Sequence, residues 1–282
     1  MTIQKVAVIG AGTMGNGIAQ TCASAGLSVT MIDISDAALE RGLQTLASNL
    51  ERLVKKERLS ATERDATLGR IRTSTDYASL ADADLVIEAA TENLELKRRI
   101  LAQIDAQVTA NALIATNTSS ISITELAGSV RGPERFIGLH FFNPVPVMTL
   151  VEVIRGLQTS DATHALALEF AEHIGKTAIS VSNGPGFVVN RLLIPMINEA
   201  VFVLQEGVAS AADIDTGMRL GCNHPIGPLA LADLIGLDTT LAIMQVLNDG
   251  FADPKYRPAP LLREMVAAGR LGRKSGRGFF DY

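Results

Sequence analysis

Residues 5–15 read KVAVIGAGTMG, and no other stretch narrows the possible folds so far. Lys5-Val6-Ala7-Val8-Ile9 is apolar after its first residue, the pattern of a short strand covered on both faces of a parallel sheet. Gly10, Gly12 and Gly15 follow at once in the order G-x-G-x-x-G, with Thr13 and Met14 between the last two. A helical pattern then runs through Ile18-Ala19-Gln20-Thr21-Cys22-Ala23 and stops at Gly26. Leu27 to Ile32 forms a second strand, which Asp33 ends. Glycines so placed allow a tight turn, admit a pyrophosphate close to the backbone and let the helix pack on the strand. The unpaired N–H groups of the helix N-terminus face the anion. Without a ligand, the same glycines would serve as a tight strand–helix turn; the second strand and the acid at its end weigh against that. A carboxylate at Asp33 suits ribose hydroxyls and repels a 2′-phosphate, so NAD is expected rather than NADP, with Ser35 and Arg41 leaving some room.

Alternation of strand and helix continues. Asp36 to about Arg58 has a leucine stripe (Leu39, Leu43, Leu46, Leu50, Leu53) at helical spacing. Its last turns are basic. Glu51 stands four residues before Lys55, a helix pair, whereas Lys56 has Arg52 in that place. Asn49, Arg52 and Lys56 share one face, which is either solvated or a contact for a phosphorylated ligand. Leu85-Val86-Ile87-Glu88-Ala89-Ala90 is a further buried strand, and Thr91-Glu92-Asn93 opens a helix through Lys97 and Ile104. Leu113-Ile114-Ala115-Thr116-Asn117 is another strand. Ser122 and Glu125 form a capping-box pattern, so Ser122 is expected to cap a helix. Asn117 and Ser119 are not needed for that cap. They fall in the loop after a strand's carboxyl end, where open α/β sheets bind ligands. The expected fold class is α/β, a Rossmann-type doubly wound and mostly parallel sheet.

Residues 136–154, FIGLHFFNPVPVMTLVEVI, read as two apolar runs joined by Asn143-Pro144-Val145-Pro146. Proline gives up a ladder donor, so the prolines belong in the turn and the runs form an antiparallel pair. Folding near Pro146 sets His140 beside Glu152 across the ladder. Imidazole next to carboxylate is a proton-transfer unit. The alternative is a strand histidine with a satisfied ring and a glutamate at a sheet edge.

A chain of 282 residues, 47% hydrophobic and 20% charged, supports a large core and two domains. A net charge of −5 argues against a general nucleic-acid or anionic-membrane binder, though not against a local basic patch. Two cysteines make no disulfide framework and point to a reducing compartment. With no signal-peptide pattern at Met1-Thr2-Ile3 and no membrane-length apolar run, a cytoplasmic protein without membrane partners is expected. No histidine or cysteine cluster has metal-ligand spacing.

Ser182-Asn183-Gly184-Pro185-Gly186 is a loop by composition, and a domain boundary is expected there: residues 1–184 and 185–282. The remainder reads as all-α: a helix from Phe187 carrying Asn190 in its first turn and Pro195 within it, then helices over 213–220, 229–235 and 238–248. Asn190 can serve a cleft or simply end a helix. The apolar excess here fits a partner subunit, hence a homodimer. Leu271 to Gly276 lacks the strand and spacing of a P-loop. Phe279, Phe280 and Tyr282 are expected to anchor the C-terminus by packing, and His164 and His173 to be solvated.

Seven stretches in order, VIGAGTMGNGIAQ, EAATENLELK, ATNTSSISI, GLHFFNPVPVMTLVEVI, GPGFVVNRLL, NHPIGPLALADLIGLD and GRKSGRGFFDY, resemble the 3-hydroxyacyl-CoA dehydrogenase family, on the side of its bacterial short-chain 3-hydroxybutyryl-CoA members. The resemblance spans essentially the whole chain. It implies NAD-linked oxidation of an (S)-3-hydroxyacyl-CoA, with acyl-CoA as substrate. By the family's pattern the catalytic pair falls on His140 and Glu152, with Ser119 and Asn190 at substrate-contacting positions. Asn143 falls beside the reacting centre; Asp33, Glu92 and Lys97 fall on cofactor-contacting positions. Lys56, with Asn49 near it, falls on the contact to the CoA end. Two other readings suit the same scaffold: a dehydrogenase of a small hydroxy or sugar acid, and a non-enzymatic NADH-binding protein like certain lens crystallins.

Overall fold

The structure, a computed structural model, describes residues 2–282. The chain divides into two compact units, the first ending at Asn183 and the second running Gly184–Tyr282.

The first unit is built on an eight-stranded sheet: β1 (Lys5–Ile9), β2 (Ser28–Ile32), β3 (Ile71–Ser74), β4 (Leu85–Glu88), β5 (Leu113–Thr116), β6 (Phe136–Phe141), β7 (Leu150–Arg155) and β8 (Thr177–Ser182). The spatial order is β3-β2-β1-β4-β5-β6-β7-β8. All neighbours are parallel except β6 and β7. The chain leaves β1 in one direction across the sheet and β4 in the other. The reversal between β1 and β4 is the place where such sheets open to a ligand. Helices α1 (Thr13–Ser24), α2 (Asp36–Lys55), α3 (Ala61–Gly69), α4 (Leu94–Gln107), α5 (Ile123–Ala127) and α6 (Asp161–His173) connect the strands. Val8, Ile87, Ile137, Leu139, Val151 and Val153 from the strands meet Ile18, Cys22, Leu46 and Phe170 from the helices in one core.

Some local expectations need correction. Helix α2 stops at Lys55 rather than near Arg58, and Glu57 turns into the left-handed region with φ 55°. Glu51 does not pair with Lys55; its carboxylate takes Arg64 of α3 at 2.7 Å. Helix α3 and strand β3 escaped the sequence reading. β3 has only half-buried and exposed positions, so its apolar signal is weak. The start of α3 was readable, because Ser60 and Glu63 form a complete capping box. His164 is not simply solvated, since its Nε2 lies 2.9 Å from the Ser180 hydroxyl.

The second unit contains α7 (Val189–Gln205), α8 (Ala211–Gly221), α9 (Pro228–Ile235), α10 (Leu237–Phe251) and α11 (Pro260–Ala267). Its core gathers Ile194, Ile197 and Val201 of α7 with Leu229, Met244, Leu247 and Leu262. Helix α7 continues through Pro195. Buried Asp215 accepts the first N–H groups of α9, from Leu229 and Ala230, each at 2.9 Å. Packing of Phe279 and Phe280 explains only part of how the C-terminus is held. Buried Asp233 accepts the Phe279 and Phe280 N–H groups at 3.0 Å and the Tyr282 hydroxyl at 3.1 Å. No single helix among the described residues is long and apolar enough to cross a membrane.

Candidate active site and coenzyme cavity

A cavity of about 470 Å³ opens at the carboxyl ends of β1 and β2. Gly10, Gly12, Thr13, Asp33 and Arg41 line it, together with Asn143 to Pro146 of the β6–β7 turn. Two of the glycines are required by their surroundings. Gly10 has φ +103°, and a Cβ there would lie 2.8 Å from the Ala89 carbonyl oxygen. A Cβ on Gly15 would collide with the Gly10 carbonyl, which lets α1 pack onto β1. Gly12 differs: a Cβ there meets nothing within 4 Å. That position is glycine beside an open cavity, as close approach of a pyrophosphate to the protein backbone demands. No side chain caps α1, so its first N–H groups point at an anion site. Asp33 Oδ2 accepts the Ala11 N–H at 2.8 Å, which fixes the carboxylate at the cavity edge. These residues fit a dinucleotide, and NAD in particular, since Asp33 offers an acceptor where a 2′-phosphate would need a cation.

Around the loop after β5, the polar groups are already paired. Glu92 accepts the Thr118 hydroxyl at 2.8 Å, the Ser119 N–H at 2.8 Å and the Ser119 hydroxyl at 2.9 Å. Glu92 therefore orders the Ser119 loop. Asn117 is buried, and its carboxamide oxygen accepts the Phe141 N–H at 2.9 Å. That bond registers the end of β6 against the ligand-binding loop. Ser122 caps α5 as expected, and Asn183 holds the same turn by accepting the Ile123 N–H at 2.8 Å.

Lys97, expected at the coenzyme, has no exposed surface. Its ammonium lies 2.5 Å from Glu88 Oε2, which also accepts the Thr116 hydroxyl at 2.7 Å. The other oxygen of Glu88 accepts the Ala90 N–H at 2.9 Å, and Ala90 lines the cavity. In this arrangement Lys97 holds the cavity wall from behind and presents no face of its own.

The β6–β7 ribbon pairs His140 directly with Glu152. Nδ1 of the ring lies 2.6 Å from Glu152 Oε2. Glu152 is fully buried and His140 is 6% exposed. A carboxylate acceptor at Nδ1 selects the tautomer with hydrogen on that nitrogen, which in a neutral imidazole leaves the lone pair on Nε2. Phe142 flanks the imidazole, ring centroids 4.5 Å apart. Asn143, three residues on, is exposed in the turn, and its peptide bond to Pro144 is cis. Asn49 is held by the Arg52 guanidinium on α2, and Lys56 is exposed at that helix's end. Asn190 is buried in the first turn of α7. No group of three or more metal-ligating side chains occurs among the described residues.

The fold and this cavity define a dinucleotide-binding α/β protein that carries a buried histidine–carboxylate pair beside its ligand-binding edge. Comparison with known proteins narrows the class. The family model described as "3-hydroxyacyl-CoA dehydrogenase, NAD binding domain" matches residues 5–184, and "3-hydroxyacyl-CoA dehydrogenase, C-terminal domain" matches residues 186–282. A 3-hydroxybutyryl-CoA dehydrogenase of Bradyrhizobium diazoefficiens is 52% identical over 99% of this chain and 96% of its own length. A probable 3-hydroxybutyryl-CoA dehydrogenase of Bacillus subtilis is 52% identical over 100% of this chain and 98% of its own. The crystal structure of (S)-3-hydroxybutyryl-CoA dehydrogenase PaaH1 from Ralstonia eutropha superposes with a TM-score of 0.98, at 63% identity, covering 100% of this chain and 99% of that one. The chain belongs to the 3-hydroxyacyl-CoA dehydrogenase family, a family of NAD-linked oxidoreductases.

Proposed function

We propose that the protein is an NAD-dependent 3-hydroxybutyryl-CoA dehydrogenase, interconverting a short (S)-3-hydroxyacyl-CoA and its 3-ketoacyl-CoA. The observation that carries this reading is the buried His140–Glu152 pair at 2.6 Å, on the strands that lead into the turn lining the dinucleotide cavity. NAD, when bound, supplies the hydride acceptor. His140 Nε2 takes the proton of the substrate's 3-hydroxyl as oxidation proceeds, and returns it in the reverse direction. Glu152 keeps the ring in the productive tautomer and balances the imidazolium charge. Ser119 is assigned to the reacting or thioester oxygen, with Glu92 orienting its hydroxyl. Asn190 is assigned to the substrate on the family resemblance alone, and Asn49 and Lys56 to the CoA end.

Gly10, Gly12, Thr13 and Asp33 serve the coenzyme directly, and Met14 and Gly15 serve it through the turn they complete, Gly15 by letting α1 pack onto β1. Lys97 and Asn117 serve it through the loops they hold, and Asn143 borders it. Residues 1–184 thus act as the coenzyme domain and residues 185–282 as the substrate and association domain. Leu192, Val208, Leu220 and Leu234, 53–80% exposed, fit a homodimer surface. Two free thiols, Cys22 and Cys222, fit the cytoplasm.

Turnover of acetoacetyl-CoA, longer 3-ketoacyl-CoA and sugar acids, each with NADH and with NADPH, tests the assignment. Acetoacetyl-CoA with NADH should be reduced fastest. Preference for a substrate without CoA, or NADH binding with no turnover on the panel, would overturn it.

A further inference from the structure

Lys176 sits between α6 and β8 and is 8% exposed. Its ammonium donates to the Val145 carbonyl at 2.6 Å and to the Met148 carbonyl at 2.7 Å. No carboxylate lies within salt-bridge distance of it among the described residues. Burial holds its pKa below the ordinary lysine value, against a smaller opposite push from nearby Cys22. A buried ammonium satisfied only by carbonyls is costly, and an apolar side chain of similar length would serve packing better. Its two carbonyl partners are what the ammonium is there to hold.

What the ammonium holds is the β6–β7 turn. Within that turn the Pro144 carbonyl accepts the N–H groups of Val147 and Met148 at 2.9 and 3.0 Å. The Val145 and Met148 carbonyls take no part in those bonds, and Lys176 donates to both. From the other side, Val145 is 2% exposed and seats on Gly17 of α1, where a Cβ would lie 2.9 Å from the Val145 Cβ. Held between Gly17 and Lys176, residues Asn143 to Pro146 form a wall of the coenzyme cavity.

We propose that Lys176 is a positioning residue for the coenzyme: its ammonium fixes the Asn143–Pro146 turn, through the Val145 and Met148 carbonyls, in the place that NADH binding requires. This rests on the dehydrogenase reading above. It sets no chemistry at His140; it sets the shape of the cavity.

The test is NADH fluorescence titration and steady-state kinetics with acetoacetyl-CoA, on wild type and Lys176→Met, with circular dichroism to verify folding. NADH Kd and KM should rise roughly tenfold or more in Lys176→Met, while kcat at saturating NADH and KM for acetoacetyl-CoA stay within about threefold. A general structural defect would lower kcat as well. Unchanged NADH Kd in folded Lys176→Met overturns the proposal, as does a fall in kcat at unchanged NADH KM. If Lys176→Met does not fold, Lys176→Arg replaces it, keeping the charge without placing one ammonium between the two carbonyls; its NADH Kd should rise, and an unchanged value in folded Lys176→Arg overturns the proposal. Wild type failing to bind NADH would overturn the dehydrogenase reading and this proposal with it. Wild type binding normally, with no loss in the variant, overturns this proposal alone.

Discussion

His140 and Glu152 face one another across the antiparallel step between β6 and β7, ring nitrogen to carboxylate oxygen at 2.6 Å. Parallel neighbours place consecutive strand ends far apart along the chain. The reversal at the Asn143–Pro146 turn brings two residues twelve positions apart into direct register. The acid and the base are thereby fixed by a backbone ladder and not by loops.

Glu152→Gln keeps a hydrogen-bond acceptor for Nδ1–H and removes the charge that balances an imidazolium. The expected result is a kcat lowered by roughly tenfold or more, with NADH Kd kept. Steady-state kinetics and NADH titration on the same preparation check it. Wild-type kcat would show that the charge plays no part in turnover.

Lys97 and Glu88 are both wholly buried. Lys97→Met strands a carboxylate in the core, and unfolding free energy should fall by about 3–5 kcal/mol. Glu88→Gln in the same chain removes that charge and keeps an acceptor for the Ala90 N–H, so Glu88→Gln/Lys97→Met should regain much of the loss. Urea unfolding of the single and double variants reads the coupling. Additive losses would mean that the two do not act as a pair.

The two cysteines should react very differently. Cys222 is exposed, whereas Cys22 is buried and its thiol is pushed up to about 12 by desolvation. Ellman's reagent at pH 8 should titrate one thiol in the native protein and two in denaturant. Rapid native reaction of both would contradict the buried placement of α1.

The same thiol links stability to pH. Its folded pKa is above the ordinary value of 9.0, so between about 9 and 12 the folded state retains a proton that the unfolded chain has lost. Stability from this group is complete below pH 9 and falls by about 1.4 kcal/mol per pH unit above it. Lys176, with its folded pKa lowered, works in the opposite direction up to its ordinary value of 10.5. Comparing wild type with Cys22→Ala by urea unfolding at pH 8, 9 and 10 isolates the thiol: the variant should lose less stability with rising pH. Parallel slopes would remove Cys22 from the linkage.

Structure is legible in the sequence where a local rule has a single geometric answer. The glycines after β1 and the prolines after Phe142 allow few backbones, and both the cavity and the His140–Glu152 register follow from them. That legibility ends where the deciding contact is distant. Nothing around Glu51 announces Arg64, nothing around Asp233 announces the N–H groups of residues 279 and 280, and nothing near Lys176 points to the Val145 carbonyl. Lys97 shows the limit of reading a motif. The TENLELK pattern identifies the position, yet burial against Glu88 decides how the side chain acts. Strand β3 was lost for a simpler reason: an edge strand with no fully buried residue has little apolar pattern to display.

The most direct measurement is single-turnover oxidation of NADH by acetoacetyl-CoA in His140→Gln, beside NADH titration of the same variant. A histidine that moves the substrate proton predicts a rate reduced by a factor on the order of 10² or more, with NADH Kd unchanged. Wild-type rate in that variant would contradict the proposed role of His140.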